Sequence, residues 1–189
     1  MAARPKFSRH GPGSVTPYAP LVRARRWRRE SVKGVARLVI IVDGNGVDLL
    51  ELLSSGFSGP LGLLYELLLS RRGVHPEGRY QSPRPLERWE ALHILREYEA
   101  FLAGDGRHNL WLAEVAGPGQ LVYDQHELLF AYGDLERYEE LLRPLGYEQG
   151  ELDLPVPHAH AYNAEFDADE DRLLGALEWI FFAPPNPAG

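Results

Sequence analysis

His158 and His160 lie one residue apart and are followed by Asn163 and Glu165, and no other stretch of this 189-residue chain gathers nitrogen and carboxylate donors so densely. Side chains alternate along an extended strand, so His158, His160 and Tyr162 are expected on one face and Asn163 and Glu165 on the other. Two imidazoles side by side are spaced to grip one divalent ion. With a third ligand such a pair suits zinc, manganese or iron. Glu165 joins the histidines only if the strand bends or ends near Asn163. His126 and Asp124 are candidates to complete the set, because Asp124-Gln125-His126-Glu127 falls between Leu121-Val122-Tyr123 and Leu128-Leu129-Phe130, where a hairpin tip is expected. The candidate metal ligands are therefore His158, His160, Glu165, His126 and Asp124. The competing expectation is structural: the two histidines bond locally in a strand after Pro157, and the polar residues at the tip serve the turn's own backbone.

His158-x-His160 with Glu165 five residues on resembles the first metal motif of the cupin family, in which these three side chains ligate the ion. The resemblance is confined to the motif. Arg172 stands where the family places a glycine, Gly150 lies eight residues before His158 rather than six, and the segment after Glu165 reads as helix. A cupin barrel is not expected, and the motif implies the ligand set alone. Val42-Asp43-Gly44-Asn45-Gly46, after an apolar strand, is similar to the opening of metal-dependent nucleases of the PIN and 5′-nuclease type. That resemblance implies a metal-binding role for Asp43. The same residues make an ordinary turn.

Other groupings have simpler explanations. Asp105-Gly106-Arg107-His108 reads as a loop whose guanidinium and imidazole would suit an anion if they faced one cleft. Asp167 and Glu170 have capping-box spacing before Leu173-Leu174, which removes Asp167 from the ligand list. His93, with Glu90 and Glu97 at helical spacing, belongs on a wet face. Nucleophile-elbow and phosphate-loop signatures are missing, and Leu49 occupies the third glycine position of a dinucleotide fingerprint starting at Gly44. The chain has no cysteine, which excludes disulfides, thiolate ligands and thiol nucleophiles.

The elements that must position these residues are of mixed type. Val35–Val42 is β-branched and bounded by turn residues, so it reads as a buried strand. Val47–Leu53 and Leu61–Leu69 look like short buried helices, and Pro76 to Pro85 is a loop. Between Leu86 and Leu102 a helical stripe runs through Ala91, Ile94, Leu95, Tyr98, Phe101 and Leu102. Asn109–Val115, Gln120–Tyr123 and Leu128–Tyr132 form an antiparallel meander. A helix from Asp134, the histidine strand, a helix over Asp167–Leu177 and a strand at Trp179–Phe182 complete the chain. Strands in a local meander with interspersed helices predict an α+β fold in one domain over 35–189, preceded by a flexible basic arm over 1–34.

Charge follows the same division. Residues 1–37 carry ten Arg/Lys against one acid, Glu30, whereas the remaining residues carry ten arginines against 26 acids, dividing the net −7 into +9 and −16. An acidic body repels phosphate backbones and favours a basic or cationic protein partner, leaving Arg23–Arg29 as the run expected to reach nucleic acid. The arginine-rich, lysine-poor composition suits a GC-rich bacterial genome, and a chain without a long apolar run is expected in the cytoplasm. Two functions follow as expectations. One is a non-enzymatic binding or regulatory module, inhibitor- or immunity-like, with an acidic surface; the alternative is a divalent-metal-dependent hydrolase built on the histidines, with a nuclease third.

Overall fold

The run expected as a buried strand forms β3 (Val35–Ile41), and Leu38, Val39, Ile40 and Ile41 are buried on both of its faces. It lies inside a nine-stranded sheet of a computed structural model that describes residues 6–9, 24–152 and 158–184. In chain order, β2 (Arg26–Val32) precedes β3, and α1 (Gly46–Leu53) leads into β4 (Leu61–Leu67) and β5 (Gly78–Gln81). Next come α2 (Arg88–Glu97), α3 (Glu99–Gly104), β6 (His108–Glu114), β7 (Gln120–Tyr123), β8 (Leu128–Tyr132), α4 (Leu135–Leu142) and β9 (Glu148–Gln149). The last helix and strand of the body are α5 (Asp167–Gly175) and β11 (Ile180–Phe182). The spatial order is β11-β5-β4-β6-β7-β8-β3-β2-β9, antiparallel throughout except for β2 with β9. Outside it stands a two-stranded ribbon of β1 (Phe7–Arg9) and β10 (His158–His160).

One sheet face carries the main core. Leu38 and Ile40 of β3, Leu63 and Tyr65 of β4, Leu110 and Leu112 of β6 and Leu129 of β8 pack with Leu50, Leu95, Phe101, Leu142 and Leu173 from the helices. Burying each such side chain contributes roughly 1.5–3 kcal/mol. The opposite face has a smaller cluster of Val39, Ile41 and Leu128, flanked by Phe130 and Leu152. The α+β expectation holds, and β6, β7 and β8 are the expected meander. None of the helices among the described residues is long and apolar enough to cross a membrane.

The structure corrects several element assignments. Leu61–Leu67 is a strand rather than a helix: Leu61, Leu63, Tyr65 and Leu67 are buried while the residues between them are half-buried, and β5 and β6 pair with it on both sides. Leucine's helix propensity is too weak to resist two hydrogen-bonded neighbours. The Pro76–Pro85 loop contains β5. The helix expected over Leu86–Leu102 is two helices meeting at Tyr98, which leaves helical geometry at φ −105° and ψ 17°, although every residue of the expected stripe is buried. Helix α2 carries a capping box at Glu87 and Glu90, whereas no side chain caps α5 and Asp167 stands inside it.

The basic arm also differs from expectation. Residues 26–32 form β2, with Trp27 buried and the neighbouring arginines set against carboxylates of the body. Arg25 pairs with Asp43, Arg26 with Glu148, and Arg29 with Glu136 and Glu139. Lys6–Arg9, within the first 20 residues of the expected flexible arm, supply a buried side chain at Lys6 and the strand β1. The rest of that stretch lies outside the described residues.

Candidate metal centre

The tip of the β7–β8 hairpin is built around Asp124. Its Oδ1 accepts the backbone N–H of His126 at 2.9 Å and of Leu128 at 2.8 Å, while Glu127 completes the turn in the left-handed region at φ 57°. Its Oδ2 lies 2.9 Å from His126 Nδ1. An ionised carboxylate only accepts, so it holds the proton on Nδ1 and leaves the lone pair on Nε2. That is the carboxylate–histidine arrangement that orients metal-ligating imidazoles.

His158 and His160 approach on β10 with the alternation that places them on one face. Their strand is carried by β1, with Phe7 opposite His160 and Arg9 opposite His158. The three imidazole centroids are 4.9 Å apart for His126 and His160 and 5.2 Å apart for the other two pairs, with the rings edge-on to one another. One ring nitrogen of each lies within 4.8 Å of the other two. Tetrahedral zinc at about 2.1 Å from each nitrogen would place those nitrogens about 3.4 Å apart, within the 4.8 Å span that the three already share. Burial lowers the pKa of His160, and the neighbouring His126 and His158 lower it further. The effect favours the neutral imidazole, the form that binds metal.

Beyond His160 the chain is held firmly. Ala161 donates its N–H to Lys6 O at 2.7 Å and accepts from Gly106 N at 2.8 Å. A Cβ on Gly106 would stand 2.8 Å from Lys6 O and 3.2 Å from His160 Cβ, so this close approach requires glycine. Asn163 donates its backbone N–H to Asp105 Oδ2 at 2.7 Å and its side-chain amide to Gly104 O at 3.0 Å. Arg107 closes the anchor by donating Nη2 to Asn163 O at 2.8 Å.

Of the sequence candidates, His126, His158 and His160 come together. Asp124 stands behind His126 with both oxygens engaged by the turn and the ring. Glu165 falls outside the group: the strand ends after His160, and the 3-10 turn Ala164–Phe166 leaves Glu165 exposed. Tyr162 stays beside the histidines, its ring 6.3 Å from that of His160 and inclined by 26°.

Two further basic side chains stand behind the site, and their burial left no signal in the sequence. Lys6 is fully buried, with Nζ 3.7 Å from the Tyr123 ring centroid and 3.4 Å from Asp124 O. Burial pushes its pKa down to about 7, against the pull of Asp124, Glu127 and Asp105. Arg107, expected in a loop, is also fully buried and bonds Asp105, Glu170 and Asp167. His108 is sealed between the rings of Tyr65 and Phe101, and burial holds its pKa well below the ordinary histidine value. Neither side chain opens onto an anion cleft. Asp43 accepts from Arg25 Nε at 2.8 Å at the edge of a separate cavity of about 280 Å³ lined by Asn45, Asp48, Leu49 and Tyr147.

Compared with family models, curated proteins and solved structures, the chain gives no match in any of the three.

Proposed function

We propose that this protein binds a divalent ion, zinc foremost, through His126, His158 and His160, and that it uses the ion for metal-dependent hydrolysis. The convergence of three imidazoles from two separate segments carries this proposal. One of them, His126, is already oriented by a carboxylate. Three neutral nitrogen ligands suit zinc better than manganese, which prefers oxygen. They leave the ion's charge uncompensated and one tetrahedral position open, and zinc so held lowers the pKa of its water toward neutrality. Tyr162 lines the same side and is 38% exposed, which leaves it accessible to a substrate.

The acidic binding module has weaker support. Its basis is the net charge of the body, yet Asp43, Asp48, Glu51, Glu90, Glu136, Glu139 and Glu148 are each paired with arginine. Paired carboxylates present less field to a partner.

Elemental analysis of untagged protein, followed by calorimetric titration of the metal-free form with zinc and manganese, tests the centre. One zinc per chain with a micromolar or tighter Kd, lost in His126→Ala, is the expected result. Hydrolysis of 4-nitrophenyl acetate by the zinc-loaded protein above that of His126→Ala tests the activity. Binding no tighter than about millimolar would refute the centre.

A further inference from the structure

We infer that an ion at the three histidines clasps the N-terminal strand β1 onto the body, so that metal occupancy and docking of that strand control each other. This deepens the proposed metal centre and rests on it.

The site is assembled from parts of unequal rigidity. His126 belongs to the β7–β8 hairpin inside the nine-stranded sheet, while His158 and His160 ride on a three-residue strand whose strand partner among the described residues is β1. A two-stranded ribbon of three residue pairs is marginal by itself. On the β1 side its anchors to the body include Lys6 N donating to Glu127 Oε1 at 2.9 Å, Ala161 bridging Lys6 and Gly106, and the Lys6 side chain over Tyr123, whereas beyond β10 the bonds of Asn163 hold the chain. The Lys6 side-chain contact is costly, because a fully buried amine gives up its hydration for an aromatic face and one long bond to Asp124 O. Docking of β1 therefore gains little from the Lys6 side chain.

An ion bridging His126 to His158 and His160 ties the ribbon to the hairpin and fixes β10 in register for β1. Pairing with β1 in turn holds His158 and His160 on one face, where they can meet His126. The two events share one free energy, and by linkage each strengthens the other by the same factor.

Amide hydrogen exchange on the full chain, metal-free and with saturating zinc, reads this directly. Zinc is expected to slow exchange at residues 6–9 and 158–161 while leaving the central strand β3 unchanged. Ser8→Pro, which removes an N–H and misfits the strand opposite Ala159 without touching a ligand, is expected to weaken zinc binding by about tenfold, within the usual range of such couplings. If zinc binds the parent tightly but leaves exchange at 6–9 unaltered, or binds Ser8→Pro as tightly as the parent, the clasp is refuted and the metal centre stands. If zinc does not bind the parent, both fall.

Discussion

Two clusters of titratable side chains lie a few residues apart in this molecule, and they have opposite characters. Around Arg107 the charges are closed on themselves: Asp105, Arg107 and Glu170 are buried, Asp167 bonds Arg71 as well as Arg107, and Arg72 holds Asp171 beside His75. Bonding to Arg71, against some desolvation, and then to Arg107 drives the Asp167 carboxyl well below the usual range. His75, Glu170 and Asp171 also bring one ligand atom each within 4.8 Å of the others, yet their carboxylates already face arginines. At His126, His158 and His160 one ring nitrogen of each lies within 4.8 Å of the other two, with the Asp124 carboxylate behind His126. A dense group of ionisable residues becomes a candidate site when metal-ligating nitrogens converge in it, and becomes structure when carboxylates and guanidinium groups neutralise one another.

The largest expected effect falls on the closed cluster. Arg107→Met strands Asp105 and Glu170 as buried acids and is expected to cost about 3–5 kcal/mol in urea denaturation, because the uncompensated charges remain. In metal-free protein His158→Ala is expected to cost no more than about 1 kcal/mol, close to the cost of a surface change. Equal losses would erase the contrast between the clusters.

Metal affinity reverses the order. His126→Ala and His160→Ala are each expected to lower zinc affinity by more than about 100-fold, and Asp124→Ala by about 10–100-fold through loss of its hold on His126, all by competitive titration against a chelator. Glu165→Ala is expected to leave affinity unchanged. A drop there would mean that the turn at Ala164–Phe166 rearranges to bring the carboxylate in.

The remaining effects concern pH. His108 stays neutral in the folded state below its unfolded pKa of 6.5, so the unfolded chain binds the extra proton and stability falls as pH drops below about 6.5. The slope for one such group approaches about 1.4 kcal/mol per pH unit, measurable in urea melts between pH 7 and 5 against His108→Phe. Lys6 acts in a higher window. With its folded pKa about 7 and the unfolded value 10.5, the unfolded chain holds the extra proton between them, so stability rises as pH goes from 7 toward 10. Lys6→Met is expected to remove that rise.

By itself the sequence determined the α+β class, the β3 strand, the β6–β7–β8 meander, the stripe from Ala91 to Leu102 and the shared face of His158 and His160. Each is a local pattern of period two or 3.6, readable because burial of one face dictates it. It also put His126 and Asp124 on the ligand list, since a hairpin tip between two apolar runs is a local event. Only the tertiary structure decided that His126 meets the β10 pair while Glu165 turns away, because that depends on where the strand stops and what the ribbon leans against. It likewise decided that Leu61–Leu67 is a strand, that the basic run is woven into the sheet against carboxylates, and that Lys6 and Arg107 are buried. Those outcomes are set by contacts between residues far apart in the chain, such as Arg71 with Asp167, 96 positions apart, and Lys6 with Glu127, 121 positions apart. Charge and apolarity tell a side chain what it needs, and the fold alone determines whether a distant partner supplies it.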